Sequence, residues 1–131
     1  MSGFETIRLA EATAEAAPDG SRIRVLPRVA RGSMIHVELG AGRVSRAVAH
    51  RTVVEIWYVL SGRGKLWRRH KGTQETVALS PGVSLTVPRR THFQFRASPH
   101  APLSILAVTM PKWPGEDEAY GVKGPWAPTK T

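Results

Sequence analysis

His50-Arg51-Thr52-Val53-Val54-Glu55-Ile56-Trp57-Tyr58-Val59-Leu60-Ser61-Gly62 is the stretch from which the rest of the chain is read. Ile56 to Leu60 is a run of aromatic and β-branched residues, the composition of a strand. Ser61-Gly62 ends it with a turn signal. His50 and Glu55 stand at the approach to that run, and both are residue types that bind metals or move protons near neutral pH. The first expectation is chemistry mounted on a strand and its approach.

Outward from this stretch, the same punctuation repeats. Upstream, Ile35, Val37 and Leu39 alternate with Met34, His36 and Glu38, and Gly40-Ala41-Gly42 turns the chain. Val44 to Val48 reads as a short strand leading to His50. Ile23 and Val25 alternate with Arg22 and Arg24 until Pro27 interrupts, the mark of an edge strand. Downstream, strands are expected over Lys65 to Arg69, Gln74 to Leu79, Val83 to Val87, Thr91 to Arg96 and Leu103 to Met110. Glycine and proline turns separate most of them. Close turn signals and about eight or nine short strands predict an all-β single domain, a sandwich or barrel over residues 21–110. Residues 1–20 are expected as an arm or short helix: Leu9 to Ala17 is rich in Ala and Glu but has no apolar stripe, and it ends at Pro18-Asp19-Gly20. Residues 111–131 hold four prolines with Trp113 and Trp126, which predicts an irregular tail packed on the outside of the barrel.

Composition narrows the chemistry. The 131 residues include no cysteine, which excludes disulfides, thiolate zinc sites and a cysteine nucleophile. No run is long and apolar enough to span a membrane, and Glu5, Glu11 and Glu15 do not suit a secretory signal, so cytoplasmic residence without a membrane partner is expected. The net charge is +9, but the arginines are scattered and no nucleic-acid signature accompanies them. Arg68-Arg69-His70-Lys71 reads as a solvated hairpin tip, and His100 as a surface residue. A small-molecule substrate is expected rather than nucleic acid, and the excess positive charge suits an anionic one.

These residues resemble the cupin superfamily, small β-barrels of jelly-roll type. Its first motif runs Gly, His-x-His, a spacer of three or four, Glu, a spacer of six, Gly; here Gly42, His50, Glu55 and Gly62 match, and Val48 stands where the first histidine would be. Its second motif runs Gly, a spacer of five, Pro-x-Gly, a spacer of two, His, a spacer of three, Asn. Here Gly82 and Pro88 match, while Arg90, Phe93 and Ala97 replace the glycine, histidine and asparagine. The resemblance spans Ser33 to Met110 and implies a cupin-type jelly roll. Pro88-Arg89-Arg90-Thr91-His92-Phe93-Gln94-Phe95-Arg96, with the Met110-Pro111-Lys112-Trp113-Pro114 tail, is similar to a bacterial subgroup of small stand-alone cupins. The resemblance also implies a homodimer.

Of the four metal ligands that the resemblance implies, only His50 and Glu55 remain. His36 or His92 would have to supply a third, and alternation turns His92 away from the face that Phe93 occupies. The favoured reading needs no cofactor. His50 and Glu55 form an acid–base pair for isomerisation, cyclisation or elimination on a small organic substrate, an isomerase, cyclase or lyase type of activity. Trp57, Phe93 and Phe95 would wall the pocket, with His36 beside them, and Arg46, on the parity of Val48 and His50, would anchor a carboxylate or enolate oxygen. One alternative is a mononuclear cupin with a single divalent transition metal (Fe, Mn, Ni or Zn), a dioxygenase or metal-assisted isomerase. The other is a non-catalytic ligand-binding cupin.

Overall fold

The computed structural model describes residues 3–129. Among them, eleven strands form two antiparallel sheets. In chain order the strands are β1 (Ala14–Ala16), β2 (Arg22–Val29), β3 (Gly32–Leu39), β4 (Val48–His50), β5 (Val54–Ser61), β6 (Gly64–His70), β7 (Thr73–Leu79), β8 (Ser84–Val87), β9 (His92–Ala97), β10 (Leu103–Met110) and β11 (Ala119–Gly121). One sheet runs β1-β2-β3-β10-β5-β8 and the other β11-β4-β9-β6-β7. Successive strands alternate between sheets from β3 to β6 and again from β7 to β11, and the two sheets enclose one core as a jelly-roll barrel.

Alternation along each strand decides what enters the barrel. On β5, Glu55, Trp57 and Val59 are buried while Ile56, Tyr58 and Leu60 are exposed. Glu55 therefore points inward because it shares parity with two large apolar residues. On β3, Ile35, Val37 and Leu39 face the core, which puts His36 on the opposite, outer face. From the facing sheet come Val48, Leu66, Phe93 and Phe95. Gly62 closes the β5–β6 turn at φ +83°, and a Cβ there would run into the Pro102 backbone carbonyl, so two independent constraints require glycine.

Several elements differ from the sequence expectation. Pro27 does not end β2; the register with β3 shifts between Val25 and Arg28, and that irregularity absorbs the missing N–H. β1 lies outside β2, which is therefore not the edge. Leu9 to Ala17 forms a three-residue 3-10 turn at Leu9–Glu11 and then β1, whose residues are all exposed. Val44 makes an isolated bridge to Arg96, and regular pairing resumes only at Val48. The proline-rich tail still contributes β11, in the stretch without proline. Among the described residues, no helix is long and apolar enough to cross a membrane.

Candidate functional site

His50 ends β4 in one sheet and Glu55 is the second residue of β5 in the other. The four residues between them must cross from sheet to sheet. Packed sheets lie about 10 Å apart, a distance that a short extended segment spans, so the spacer itself fixes both side chains at the same end of the barrel. His50 Nδ1 lies 3.7 Å from Glu55 Oε2. Both residues are buried, at 5% and 3% exposure. Trp57 Nε1–H donates to Glu55 Oε1 at 2.7 Å, which leaves Oε2 turned toward the imidazole. The His50 ring meets Phe93 and Trp113 edge-on, at 5.3 and 5.5 Å between centroids. Trp57 packs in the same manner on Phe93 and Phe95. Nδ1 of His50 is buried and has no hydrogen-bond partner.

Burial pushes the Glu55 carboxyl up to about 7, and the nearby Asp19 and Glu118 carboxylates add to the shift while the Trp57 bond opposes it. Burial lowers His50 to about 4, with Glu118 opposing. Between those values the pair is a neutral acid beside a neutral base, not an ion pair. At 3.7 Å the two atoms are too far apart to hydrogen-bond each other.

Three residues that sequence reasoning did not assign complete the surroundings. Glu118 accepts hydrogen bonds from Thr52 N–H (2.7 Å), the Thr52 hydroxyl (2.6 Å) and Val53 N–H (3.0 Å), which ties the tail to the segment joining His50 and Glu55. Burial raises the Glu118 carboxyl, but these bonds outweigh it and hold it below its ordinary value. Asp19 accepts from the Ser21 N–H and hydroxyl through Oδ1. Burial raises its pKa against those bonds. Trp113 comes from the tail and covers His50, with its own N–H donated to Ser33 Oγ at 2.9 Å. The Asp19-x-Ser21 spacing carries a local signal, the Asx turn. Glu118 and Trp113 reach the site by tertiary packing alone.

Other expected site residues lie elsewhere. Arg46 is exposed; its Nη1 donates to the Pro18 carbonyl at 3.0 Å. Parity with His50 fails for it because the backbone between Val44 and Val48 is not a regular strand. His36 lies on the outer face of β3, with Nε2 at 2.6 Å from Ser104 Oγ, and a sheet separates it from His50. His92 is half-buried, pairs with Arg69 across β6, and points away from the interior that Phe93 fills. Trp57, Phe93 and Phe95 surround the pair as packed core rather than as walls of an open pocket. Among the described residues, no three His, Asp or Glu side chains converge as a metal centre would require. His50 and Glu55 supply two donors, and the Glu118 oxygens are taken by Thr52 and Val53. This donor set does not fit a three-ligand centre.

Comparisons with known proteins bear on the fold. No curated protein matches the chain significantly in sequence. Among solved structures, KdgF from Halomonas sp. superposes with a TM-score of 0.70 at 18% identity, covering 85% of this chain and 96% of that one. Streptomyces PAC13 with uridine gives a TM-score of 0.71 at 17% identity, covering 92% of each chain. Oxalate decarboxylase from Bacillus subtilis gives 0.75 at 15% identity over 88% of this chain and 31% of that one. At these identities the likeness is one of fold. A family model described as a cupin domain matches residues 34–109, more than half of the sequence and the span from β3 to β10. The chain belongs to the cupin family.

Proposed function

We propose that the protein is a small-molecule cupin enzyme that works by acid–base chemistry, with His50 and Glu55 as the reacting pair. One observation carries this reading. A carboxyl group held protonated to about pH 7 stands 3.7 Å from a neutral, buried and unpartnered imidazole nitrogen. A buried polar nitrogen without a partner is costly, and a substrate group that reaches it removes that cost. Glu55 would give a proton to one substrate atom while His50 takes one from another, as isomerisation, cyclisation and elimination all require. Trp57 holds the carboxyl in position for this through Oε1. The description of Pac13 as a nucleoside dehydratase supports elimination as the first reaction to test.

The activity of the free enzyme, followed as kcat/KM on a panel of small polyols, sugars and nucleosides, should be bell-shaped, with limbs near the His50 and Glu55 values of about 4 and 7. Glu55→Gln should lower it by about 10²-fold or more, the usual contribution of a positioned proton donor. Turnover that survives Glu55→Gln and His50→Gln unchanged would refute the reading. A second reading, ligand binding without catalysis, draws on the dense aromatic packing around the pair. It predicts that Glu55→Gln preserves ligand affinity and that no ligand is converted. A homodimer is also proposed, through the outer face of the six-stranded sheet, where Met34, Ile56, Tyr58 and Leu60 are exposed.

A further inference from the structure

The seam between the β1–β2 hairpin and the tail holds a cleft of about 440 Å³, lined by Glu15, Ala17, Pro18, Ile23, Trp113 and Asp117 among others. Trp113 lines this cleft and also packs against the His50 imidazole, so one side chain stands between the cleft and the buried nitrogen. The lining carries two carboxylates and no lysine or arginine, in a chain with 19 of them. Further in, Asp19 and Glu118 are close enough to act on Glu55. Two cations border the same lining: Arg46 bonds to the Pro18 carbonyl and acts on Asp19, while Arg51 donates to the Asp117 carbonyl at 3.3 Å and lies over the Tyr120 ring. Around this approach the carboxylates of Glu15, Asp117, Asp19 and Glu118 outnumber the guanidinium groups of Arg46 and Arg51, although the chain as a whole is strongly basic.

We propose that this cleft is the access route to the His50–Glu55 pair, that the Trp113 indole gates it, and that it admits neutral or cationic small molecules in preference to anions. The proposal rests on the reading of that pair as a working site, and it reverses the expectation of an anionic substrate drawn from net charge. The Trp113 backbone is fixed by Ser33, so side-chain rotation is the motion that opens the route.

Three probes of equal size test it: benzylammonium, benzyl alcohol and benzoate. Binding is followed by NMR on the Trp113 indole N–H and the His50 ring, assigned with Trp113→Phe and His50→Gln. The first two probes should shift both signals. Benzoate should bind roughly tenfold more weakly, as two partly screened like charges require. A Glu15→Gln/Asp117→Asn double variant should close that gap. Trp113→Ala should speed carbethoxylation of His50 by diethyl pyrocarbonate about tenfold, read by mass spectrometry of the His50 peptide, since a neutral imidazole reacts once accessible. Trp113→Phe should give an intermediate rate and serves if the alanine variant does not fold. Benzoate binding as tightly as benzylammonium, shifts at Trp113 without shifts at His50, no shift from any probe, or unchanged His50 modification would each overturn the proposal. These readouts need no turnover. A flat pH profile with intact probe shifts refutes the acid–base reading instead.

Discussion

Two buried groups with opposite pKa shifts make their joint contribution to stability nearly blind to pH, and removing either one should expose the other. Glu55 is raised from 4.5 to about 7, so the folded state holds a proton that the unfolded state releases. Its contribution is fully present below 4.5 and is lost as pH rises toward 7. His50 is lowered from 6.5 to about 4, so the unfolded state takes up a proton that the folded state refuses. Its contribution is present above 6.5 and is lost as pH falls toward 4. Each shift corresponds to about 3 kcal/mol at 1.36 kcal/mol per unit. Over the shared window the two slopes have opposite signs and cancel. Both groups are neutral there, so removing one does not remove a charge that holds the other. Glu55→Gln, which keeps an acceptor for Trp57 Nε1–H, should leave stability rising by about 3 kcal/mol from pH 4 to 6.5. His50→Gln should leave it falling by a similar amount from pH 4.5 to 7. Urea unfolding of the three proteins across that window measures this, with m constant so that only the midpoint moves. Asp19, His36 and Glu118 titrate in all three, so the expected changes are read as differences from the wild type. Identical pH profiles for wild type and Glu55→Gln would refute the neutral-pair reasoning.

Three further outcomes follow from contacts outside the pair. Glu118→Ala leaves Thr52 and Val53 without their acceptor and should cost about 2 kcal/mol in chemical unfolding; a loss below the error of that measurement would deny Glu118 its role as a tie. Gly62→Ala, with both a positive φ and the Pro102 carbonyl in the way, should cost about 3 kcal/mol, whereas Gly72→Ala, at the same φ of +83° in open space, should cost about 1. Equal losses would show that the backbone angle alone matters. Light scattering should report a dimer for the wild type and a Kd weakened at least about tenfold for Ile56→Lys, because Met34, Val108 and Ile56 form one row across β3, β10 and β5; a monomeric wild type would sink the proposed interface.

Strand content was legible in the sequence because it rests on local signals, and the jelly roll because the motif spacings carry the family resemblance. The alternation on β3, β5 and β10, the glycine turns, and the spacing from His50 to Glu55 to Gly62 are short-range patterns. The inward direction of Glu55 came only with the structure, where it shares parity with the buried Trp57 and Val59. Which face of β3 lines the barrel was not legible, since His36 is itself buried on the outer face beneath Ser104. Arg46 was misplaced because parity was carried through a segment that is not a strand. Glu118 and Trp113 come from a tail far from His50 in sequence, and nothing local marks a residue that acts through tertiary contact.

Phe93 links the departure from the family motif to the electrostatics of the site. It stands where the second motif has a histidine, and its ring packs edge-on against His50 instead of adding a third polar donor. An apolar ring in that place makes the interior drier, and burial is the leading cause of both pKa shifts. Val48, where the motif has its other histidine, pairs with Phe93 across β4 and β9 and acts in the same direction. The two residues that stand in place of metal ligands are therefore among the apolar groups that bury the pair, and burial is what raises Glu55 and lowers His50. On this view the changes are coupled: a protonated carboxyl next to a free imidazole needs the apolar neighbours that took the place of the ligands. The departures from the motif then read as the means by which the barrel holds an acid and a base side by side.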